Sequence, residues 1–339
     1  MSAPIDWNNI GFAYRPLKSR YEAVYKNGVW GEGYLTDDPN LHINECAVMM
    51  QYCQQCFEGL KAYTTADGRV VMFRPDRNAR RMQDSCARLL MPAFPEERFL
   101  EAADRLVLDN IESVPPYGTG ASLYIRPFMI GVNPEIGVLP AREFIFRMFA
   151  TPVGAYFKGG MTPIRLTVCD YDRAAPAGTG HVKAGLNYAM SLYATQAAHE
   201  QGFAENLYLD PMTRTRVEET GGSNIFFVTK EKKIVTPRSG SILPSITRLS
   251  VLEVARRLGY ETEEREILMS EVDSFAECGL CGTAAVISPV GAIFDHGREI
   301  VFPGGMREPG PVCRQLYETL TGIQLGTAPA PEGWIRTMR

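Results

Sequence analysis

One segment near the middle of the chain limits how the rest can fold. Residues 151–160 read TPVGAYFKGG and hold one proline and three glycines in ten positions. Such a cluster interrupts regular secondary structure and is typical of a linker. A chain of 339 residues is also long enough for two domains. The sequence therefore predicts one domain at 1–150, a linker at 151–160 and a second domain at 161–339.

Strand and helix patterns alternate in both halves of the chain. In the first half, Ala47–Gln51 and Leu60–Tyr63 are predicted to be strands. In the second half, Ser245 is the expected N-cap of a helix that ends at Gly259. Because strand patterns recur throughout, the predicted fold class is α/β, or α+β.

The composition argues against several classes of function. The net charge is −4 and no basic run stands out, which is untypical of a nucleic-acid-binding protein. The first residues lack the basic and apolar regions of a secretory signal. No stretch approaches the roughly 18 apolar residues that a membrane helix needs. We therefore expect a cytoplasmic protein without a nucleic-acid or membrane partner.

The chain has eight cysteines, which are expected to be reduced thiols in such a protein. Two C-x-x-C pairs, Cys53/Cys56 and Cys278/Cys281, carry the ligand types of a zinc site. They lie far apart in the sequence, whereas compact zinc modules have short spacers. We therefore expect no metal. The simplest interpretation is a set of small buried hydrophobic residues, and a thiol–disulfide switch at Cys278/Cys281 is the alternative.

Lys183 follows a loop rich in glycine and proline and has small neighbours. Partial desolvation of a lysine favours its neutral amine, which can attack an aldehyde. The simpler alternative is a solvated surface charge, which describes most lysines. Lys183 is therefore a candidate nucleophile that its spacing alone does not settle.

Two acids, Glu218 and Glu219, precede a Gly-Gly turn and an apolar strand. A pyridine ring that serves as an electron sink needs an acidic partner at its nitrogen. A carboxylate held by a tight turn suits that role. The alternative is a solvated acidic turn.

Two segments have the features of an anion site. The first, Ser245-Ile246-Thr247, opens a predicted helix, whose free backbone N–H groups and dipole attract an anion. The second, Gly282-Thr283-Ala284-Ala285, could form a nest of N–H groups. Every helix has such an end, and the second segment could be a plain tight turn. Each indication is therefore weak alone.

Tyr124 and Arg126 occupy alternate positions of the predicted strand Ser122–Ile130 and so share one face. Arg126 could bind a carboxylate through two guanidinium nitrogens. An arginine before a proline at a strand end is, however, often only a surface ion-pair partner. This pair is therefore a candidate carboxylate site and no more.

Taken together, five segments resemble the branched-chain aminotransferases, which are fold-type IV enzymes that use pyridoxal 5′-phosphate (PLP). In chain order they are 55–63 (QCFEGLKAY), 124–127 (YIRP), 178–188 (GTGHVKAGLNY), 219–226 (ETGGSNIF) and 281–284 (CGTA). The resemblance keeps this order and runs from about residue 10 to about residue 334. Five matches in one order are far more specific than any one of them.

The resemblance implies a smaller N-terminal α/β domain and a larger C-terminal PLP-binding domain with a strand-rich pseudobarrel. It implies reversible amino transfer between L-Leu, L-Ile or L-Val and 2-oxoglutarate, which yields branched 2-oxo acids and L-glutamate. It also implies a homodimer.

The resemblance further implies a role for single residues at the cofactor. Lys183 would bond to PLP and then move the substrate proton, Tyr188 would hydrogen-bond the cofactor O3′, and Glu219 would pair with the ring nitrogen. Glu219 rather than Glu218 matches, because it lies five residues before Asn224. The positions expected to hold the phosphate are Arg81, Arg173, Ile246, Thr247 and Thr283.

For the substrate, the implied α-carboxylate site is Tyr124 with the backbone N–H groups of Thr283 and Ala284. Phe57 would form part of an apolar wall. The positions expected to receive the distal carboxylate of glutamate are Tyr52, Arg126 and Tyr156.

The match has one departure, and other functions stay open. Some animal members have a redox-active C-x-x-C after the Gly-Thr-Ala turn, but Ala285 and Ser288 occupy those positions here. D-amino-acid aminotransferase, aminodeoxychorismate lyase and amine transaminase are alternatives within the fold, against which Tyr124-Ile125-Arg126 and Phe57-Glu58-Gly59 argue. A PLP-binding protein without turnover and a non-PLP globular protein that matches by chance are alternatives of another class.

Overall fold

The structure is a computed structural model that describes residues 5–154 and 161–338. Within these ranges the α-helices are α1 (Val48–Tyr52), α2 (Pro75–Arg88), α3 (Glu96–Asp109), α4 (Gly185–Glu200), α5 (Ile246–Arg257) and α6 (Pro311–Gln324). The strands of the first half are β1 (Arg20–Lys26), β2 (Val29–Trp30), β3 (Tyr34–Thr36), β4 (Gln55–Phe57), β5 (Leu60–Thr64), β6 (Val70–Phe73), β7 (Ser122–Gly131) and β8 (Phe144–Val153). Those of the second half are β9 (Ile164–Val168), β10 (Glu205–Leu209), β11 (Val217–Thr220), β12 (Asn224–Val228), β13 (Ile234–Pro237), β14 (Thr262–Arg265), β15 (Glu277–Gly282), β16 (Val286–Asp295), β17 (Arg298–Val301) and β18 (Ile335–Thr337).

The described residues group into two compact units. The first contains those of 1–156, 182–185 and 322–339, and the second contains those of 157–181 and 186–321. Strand β8 continues to Val153, three residues into the predicted linker. The predicted division into 1–150, 151–160 and 161–339 stays a prediction.

An open antiparallel sheet forms the centre of the first unit. Its strand order is β18-β6-β5-β7-β8-β1-β2, with β3 also paired to β1 and β4 to β7. The longest pairing joins β7 to β8, from Ser122 opposite Val153 to Gly131 opposite Phe144. This register places Tyr124 and Arg126 on one face of the sheet, as the sequence predicted.

Helices α2 and α3 bury their apolar faces in the core of the first unit. In α3 the buried positions Phe99, Ala102, Ala103 and Leu106 recur at helical spacing. The rings of Phe94 and Phe146 stack with their centroids 3.9 Å apart. Full burial of such side chains contributes about 1.5–3 kcal/mol each.

A closed ring of six strands forms the second unit. The ring runs β9-β10-β11-β12-β15-β16 and returns to β9. Strand β9 is parallel to both of its neighbours, whereas the other four pairings within the ring are antiparallel. Strands β13 and β14 extend from β12, and β17 extends from β16. The predicted mixed α/β class and the strand-rich pseudobarrel are therefore confirmed.

One predicted element is wrong. Residues 47–51 were expected to form a strand, but α1 covers Val48–Tyr52. Only Val48 of this helix is buried, and the turn ends at Cys53 in a left-handed conformation. A short apolar run does not distinguish a strand from a single helical turn, because it is too short to show either periodicity. By contrast, the predicted strand at 60–63 is confirmed as β5.

The two C-x-x-C pairs differ in exposure. Cys278 and Cys281 are buried in β15, and Cys56 is buried in β4, whereas Cys53 is exposed. All eight cysteines are free thiols. The interpretation as small buried hydrophobic residues therefore holds for three of the four, and Cys53 departs from it.

Within the described ranges, every helix is either too short or too polar to cross a lipid bilayer.

Candidate active site

Lys183 belongs to the first unit, where its backbone is fixed on both sides. Its N–H donates to Ser85 Oγ at 3.1 Å, and its carbonyl accepts from the Phe57 N–H at 3.0 Å. Two residues later, the Gly185 N–H donates to Gln55 Oε1 at 2.9 Å. These bonds attach the lysine segment to α2 and β4. The half-buried side chain places its amine 4.8 Å from the centre of the Phe57 ring.

Tyr124, Arg126 and Phe57 lie together on the neighbouring strands. Arg126 Nη2 donates to Tyr124 Oη at 3.2 Å, and the guanidinium carbon lies 4.8 Å from the Phe57 ring centre. Arg126 Nε is buried and has no hydrogen-bond partner in the described part of the chain. Phe12, which the sequence argument missed, packs edge-on against Tyr124 at 5.7 Å. The predicted pairing of Tyr124 with Arg126 on one face is therefore present.

Gly59 leaves space for the Tyr124 hydroxyl. A Cβ atom built on Gly59 would lie 2.1 Å from Tyr124 Oη and 3.0 Å from Cζ. Because that approach is closer than contact, any side chain there would displace the tyrosine. The glycine in the FEG segment thus determines where the predicted carboxylate-binding hydroxyl sits.

The predicted distal site includes two tyrosines besides Arg126, of which only Tyr52 lies within the described residues. Tyr52 is the last residue of α1, and its hydroxyl donates to the Ile136 carbonyl. Tyr156 lies outside the described residues. Their substrate roles stay predictions.

Glu58, which follows Phe57 in the chain, forms a buried ion pair with α2. Arg81 donates to Glu58 through Nε at 2.8 Å and through Nη2 at 2.7 Å. Asn78 Nδ2 also donates to Glu58 at 2.8 Å. Glu58 has no exposed surface, so the guanidinium compensates a fully buried carboxylate. Sequence reasoning did not single out Glu58, although an acid between Phe57 and Gly59 in an otherwise apolar segment was a usable signal.

The second unit holds Glu219 in a buried polar cluster. Its carboxylate pairs with Arg173 Nη2 at 2.7 Å and accepts from the Leu243 N–H at 2.9 Å and from Asn224 Nδ2. Burial raises the pKa of Glu219 to about 7, although the Arg173 charge opposes that shift. Two polar atoms in this cluster, Arg173 Nε and Asn224 Oδ1, are buried and have no hydrogen-bond partner in the described ranges.

Arg173 also joins two loops of the second unit. Its Nη2 donates to the carbonyls of Gly180 and Ser241. A Cβ atom on Gly180 would lie 2.1 Å from the Ser241 carbonyl oxygen, so only glycine fits there. Asn187 closes the same loop on α4, because its Nδ2 donates to the Thr179 carbonyl at 2.7 Å. Neither Gly180 nor Asn187 was assigned a role from the sequence.

The predicted N-cap of α5 is confirmed. Ser245 Oγ accepts from the Arg248 N–H at 3.2 Å. Ile246 and Thr247 occupy the first turn, where backbone N–H groups lack intrahelical partners, and both side chains are buried. Thr283 and Ala284 form the turn between β15 and β16 and are half-buried. Tyr188 lies half-buried in the first turns of α4.

These residues fit a PLP cofactor in their chemistry. Lys183 supplies an amine beside an apolar ring, and Glu219 supplies a buried acid whose pKa near neutrality suits a pyridine nitrogen. The start of α5 supplies N–H groups suited to a phosphate. The unpartnered Arg173 Nε and Asn224 Oδ1 are the polar atoms that a bound group would satisfy.

Comparison with known proteins points to the same chemistry. The family model described as amino-transferase class IV matches residues 55–293. A branched-chain-amino-acid aminotransferase of Haemophilus influenzae is 53% identical over 337 residues, which cover 98% of each chain. Among solved structures, the Escherichia coli branched-chain amino acid aminotransferase superposes with a TM-score of 0.78 at 27% identity and covers 94% of this chain and 99% of that one.

A second solved structure carries the cofactor in its name. It is the branched-chain amino acid aminotransferase from Thermobaculum terrenum in its PLP form, with a TM-score of 0.77 and 27% identity, covering 96% of this chain and 99% of that one. The family model spans well over half of the present chain, and the sequence relative spans nearly all of it. The chain therefore belongs to the class IV aminotransferases and, within them, to the fold-type IV branched-chain-amino-acid aminotransferases.

Proposed function

We propose that this protein transfers an amino group reversibly between L-leucine, L-isoleucine or L-valine and 2-oxoglutarate. The products are the branched 2-oxo acids and L-glutamate. The observation that carries the proposal is the position of the Phe57 ring. The Lys183 amine and the Arg126 guanidinium carbon each lie 4.8 Å from its centre. The reactive amine and a positive charge thus both lie next to one apolar ring.

That arrangement suits a site that must accept two unlike side chains in turn. A branched aliphatic side chain packs against an apolar wall such as Phe57, where its burial contributes about 25 cal/mol per Å². The distal carboxylate of glutamate instead needs a charged donor, and Arg126 retains an unpartnered Nε. The residues proposed to bind the substrate are Tyr52, Phe57, Tyr124, Arg126, Tyr156, Thr283 and Ala284.

The cofactor is PLP. When bound, it supplies an electron sink, which accepts the electrons of the bond that breaks at the substrate Cα. The protein must then take up and return one proton. The Lys183 amine is the group proposed for that step, because the hydrogen bonds of its backbone fix where the half-buried side chain begins and the amine lies beside the Phe57 ring. The residues proposed to hold the cofactor are Lys183, Arg81, Arg173, Tyr188, Glu219, Ile246, Thr247 and Thr283.

Glu219 is proposed to pair with the cofactor ring nitrogen. A carboxyl group whose pKa is about 7 gains or loses a proton near neutrality, so it can share one with a pyridine nitrogen of similar basicity. The Leu243 N–H and Asn224 amide hold the carboxylate in place. The proposed role of Glu219 is therefore supported by its raised pKa and by the two hydrogen bonds that hold its carboxylate.

A homodimer is part of the proposal. In α4, the side chains of Met190, Leu192 and Tyr193 are 55%, 68% and 70% exposed. Exposed apolar side chains grouped on one helix are typical of a surface that another molecule covers, and a second copy of the chain is the proposed partner. We also propose a cytoplasmic location, where eight free thiols are expected to persist.

The test is an absorbance spectrum of the PLP-loaded protein, recorded before and after addition of L-leucine and then of 2-oxoglutarate. The proposal expects the visible band of lysine-bound cofactor to disappear with L-leucine and to return with 2-oxoglutarate. D-leucine and a simple alkyl amine are the matched controls. A band that responds only to these controls would indicate another fold-type IV enzyme. A band that responds to no amine would indicate a silent PLP-binding protein.

A further inference from the structure

Glu218 is a second buried carboxylate, next to Glu219 on β11, and the reaction described above does not use it. Only 2% of its surface is exposed. Its carboxylate accepts hydrogen bonds from Ser239 Oγ at 2.7 Å and from Ser241 Oγ. Successive residues of a strand point to opposite faces, so Glu218 and Glu219 anchor different surroundings.

The loop from Ser239 to Leu243 connects these two surroundings. The Ser241 N–H donates to Ser239 Oγ at 3.2 Å, which tightens the end of the loop that Glu218 binds. The Ser241 carbonyl accepts from Arg173, and the Leu243 N–H donates to Glu219. Glu218 therefore holds a loop whose backbone bonds both members of the Arg173–Glu219 pair.

We propose that Glu218 is a positioning residue for the reaction, because it fixes the 239–243 loop against Arg173 and Glu219. The inference rests on the proposed role of Glu219 as the partner of the cofactor ring nitrogen. It assigns to Glu218 no contact with substrate or cofactor.

The charge of Glu218 also affects the pKa of Glu219. Burial is the main cause that raises the pKa of Glu219, the Arg173 charge lowers it, and the Glu218 charge raises it. The Cys281 thiol on β15 also lies near Glu219, and it stays neutral because burial raises its pKa to about 12. Removal of the Glu218 charge should therefore leave Glu219 with a lower pKa.

Three variants separate position from charge. Glu218→Gln removes the charge, and its amide oxygen can still accept from both serines. Ser241→Ala removes one bond to the loop and keeps the charge. Glu218→Ala removes both effects. Glu266→Gln, which neutralises an exposed surface acid, is the matched control.

The first measurement is the unfolding stability of the cofactor-free chain between pH 5 and pH 8, where the titration of Glu219 appears as an inflection. Glu218→Gln should move this inflection to lower pH because it removes the nearby negative charge, whereas Ser241→Ala, which keeps that charge, should not lower it. The second measurement is the PLP dissociation constant. It should rise about tenfold in Glu218→Ala and about threefold in Ser241→Ala, because an unrestrained loop no longer holds Arg173 and Glu219.

Glu219→Gln distinguishes a failure of the proposed role of Glu219 from a failure of the proposed role of Glu218. If this variant binds PLP and turns over like the unaltered protein, the proposed role of Glu219 fails. If Glu219→Gln is impaired but Glu218→Gln shows no shift of the inflection and Ser241→Ala binds PLP within a factor of 1.5 of the control, the role of Glu218 is overturned alone.

Discussion

Each unit contains a buried arginine–glutamate pair, Arg81–Glu58 in the first and Arg173–Glu219 in the second, and the two pairs differ in how fully their polar atoms are hydrogen-bonded. Glu58 accepts two hydrogen bonds from Arg81, one from Asn78 and one from the Gly59 N–H. Glu219 makes three contacts, an ion pair with Arg173 and hydrogen bonds from the Leu243 N–H and Asn224 Nδ2, yet Arg173 and Asn224 each keep a buried polar atom without a hydrogen-bond partner in the described chain.

The difference separates a carboxylate that serves as scaffold, Glu58, from a cluster around Glu219 that can bind a ligand. An unpartnered buried polar atom costs about 1–3 kcal/mol, so a folded protein keeps one only where something else compensates. The Glu58 carboxylate is saturated by its own neighbours and serves to hold α2 against the start of β5. The Glu219 cluster keeps unused bonding capacity, which a ligand can fill.

The largest expected effect concerns the reactive group beside the scaffold pair. Lys183→Ala should lower the rate of transamination by roughly 10⁴-fold or more, because the amine that moves the proton is lost. PLP should still bind through its phosphate contacts. Steady-state turnover with L-leucine and 2-oxoglutarate measures the loss, and Lys230→Ala, at an exposed surface lysine, is the control. Turnover within tenfold of the unaltered protein would contradict the assignment.

The scaffold interpretation predicts a loss of stability for Glu58→Ala. The substitution leaves the Arg81 guanidinium buried without its counter-ion, so the free energy of unfolding should fall by about 3–5 kcal/mol. Urea denaturation measures it. Glu253→Ala removes one partner of an exposed helix pair and should cost less than about 1 kcal/mol. Similar losses in the two variants would remove the distinction drawn between the pairs.

The binding-site interpretation predicts a pH-dependent stability for Glu219. The folded-state pKa of about 7 exceeds the usual value of 4.5, so the folded chain holds this proton more tightly than the unfolded chain. The contribution to stability is complete below about pH 4.5 and is lost as the pH rises through 7, by up to about 3 kcal/mol.

Urea denaturation of the cofactor-free protein between pH 5 and pH 8 tests this expectation. Glu219→Gln mimics the protonated acid, so it should match the unaltered protein near pH 5 and exceed its stability near pH 8. Parallel pH profiles for the two proteins would show that Glu219 is not the titrating group.

The smallest expected effect concerns Gly59. In Gly59→Ala the new methyl group displaces the Tyr124 hydroxyl, from which its Cβ would lie only 2.1 Å. The KM for both amino acid and 2-oxo acid should rise about tenfold with little change in kcat, because a bond to the shared α-carboxylate is weakened. Gly31→Ala, where the nearest atom would lie at 3.4 Å, is the control. An unchanged KM would separate Tyr124 from carboxylate binding.

Local patterns in the sequence predicted many of the elements. The alternation in β7, the apolar spacing of α3 and the Ser245 N-cap are properties of neighbouring residues, and the structure contains all three. The strand at 47–51 was wrong because one helical turn carries no periodicity to detect.

Long-range contacts were beyond the reach of the sequence argument. Arg81 is 23 residues from Glu58, and Ser241 is 23 residues from Glu218, so no spacing rule connects them. The resemblance pointed to Arg81 and Glu219 as positions but not to their protein partners. Closure of the strand ring likewise depends on which edges meet, and a single sequence contains no direct record of that.

The position of β18 has a consequence for how the chain is made. This strand, at residues 335–337, forms the outer edge of the first sheet against β6 at residues 70–73. While a ribosome synthesises the chain, the β6 edge therefore stays unpaired until residue 337 has emerged, and an open edge is a template for aggregation. All strands of the ring are synthesised before that moment. The first unit, whose synthesis starts first, thus completes its sheet last. Residues appended or removed near β18 should therefore affect the yield of folded protein in cells more than they affect activity.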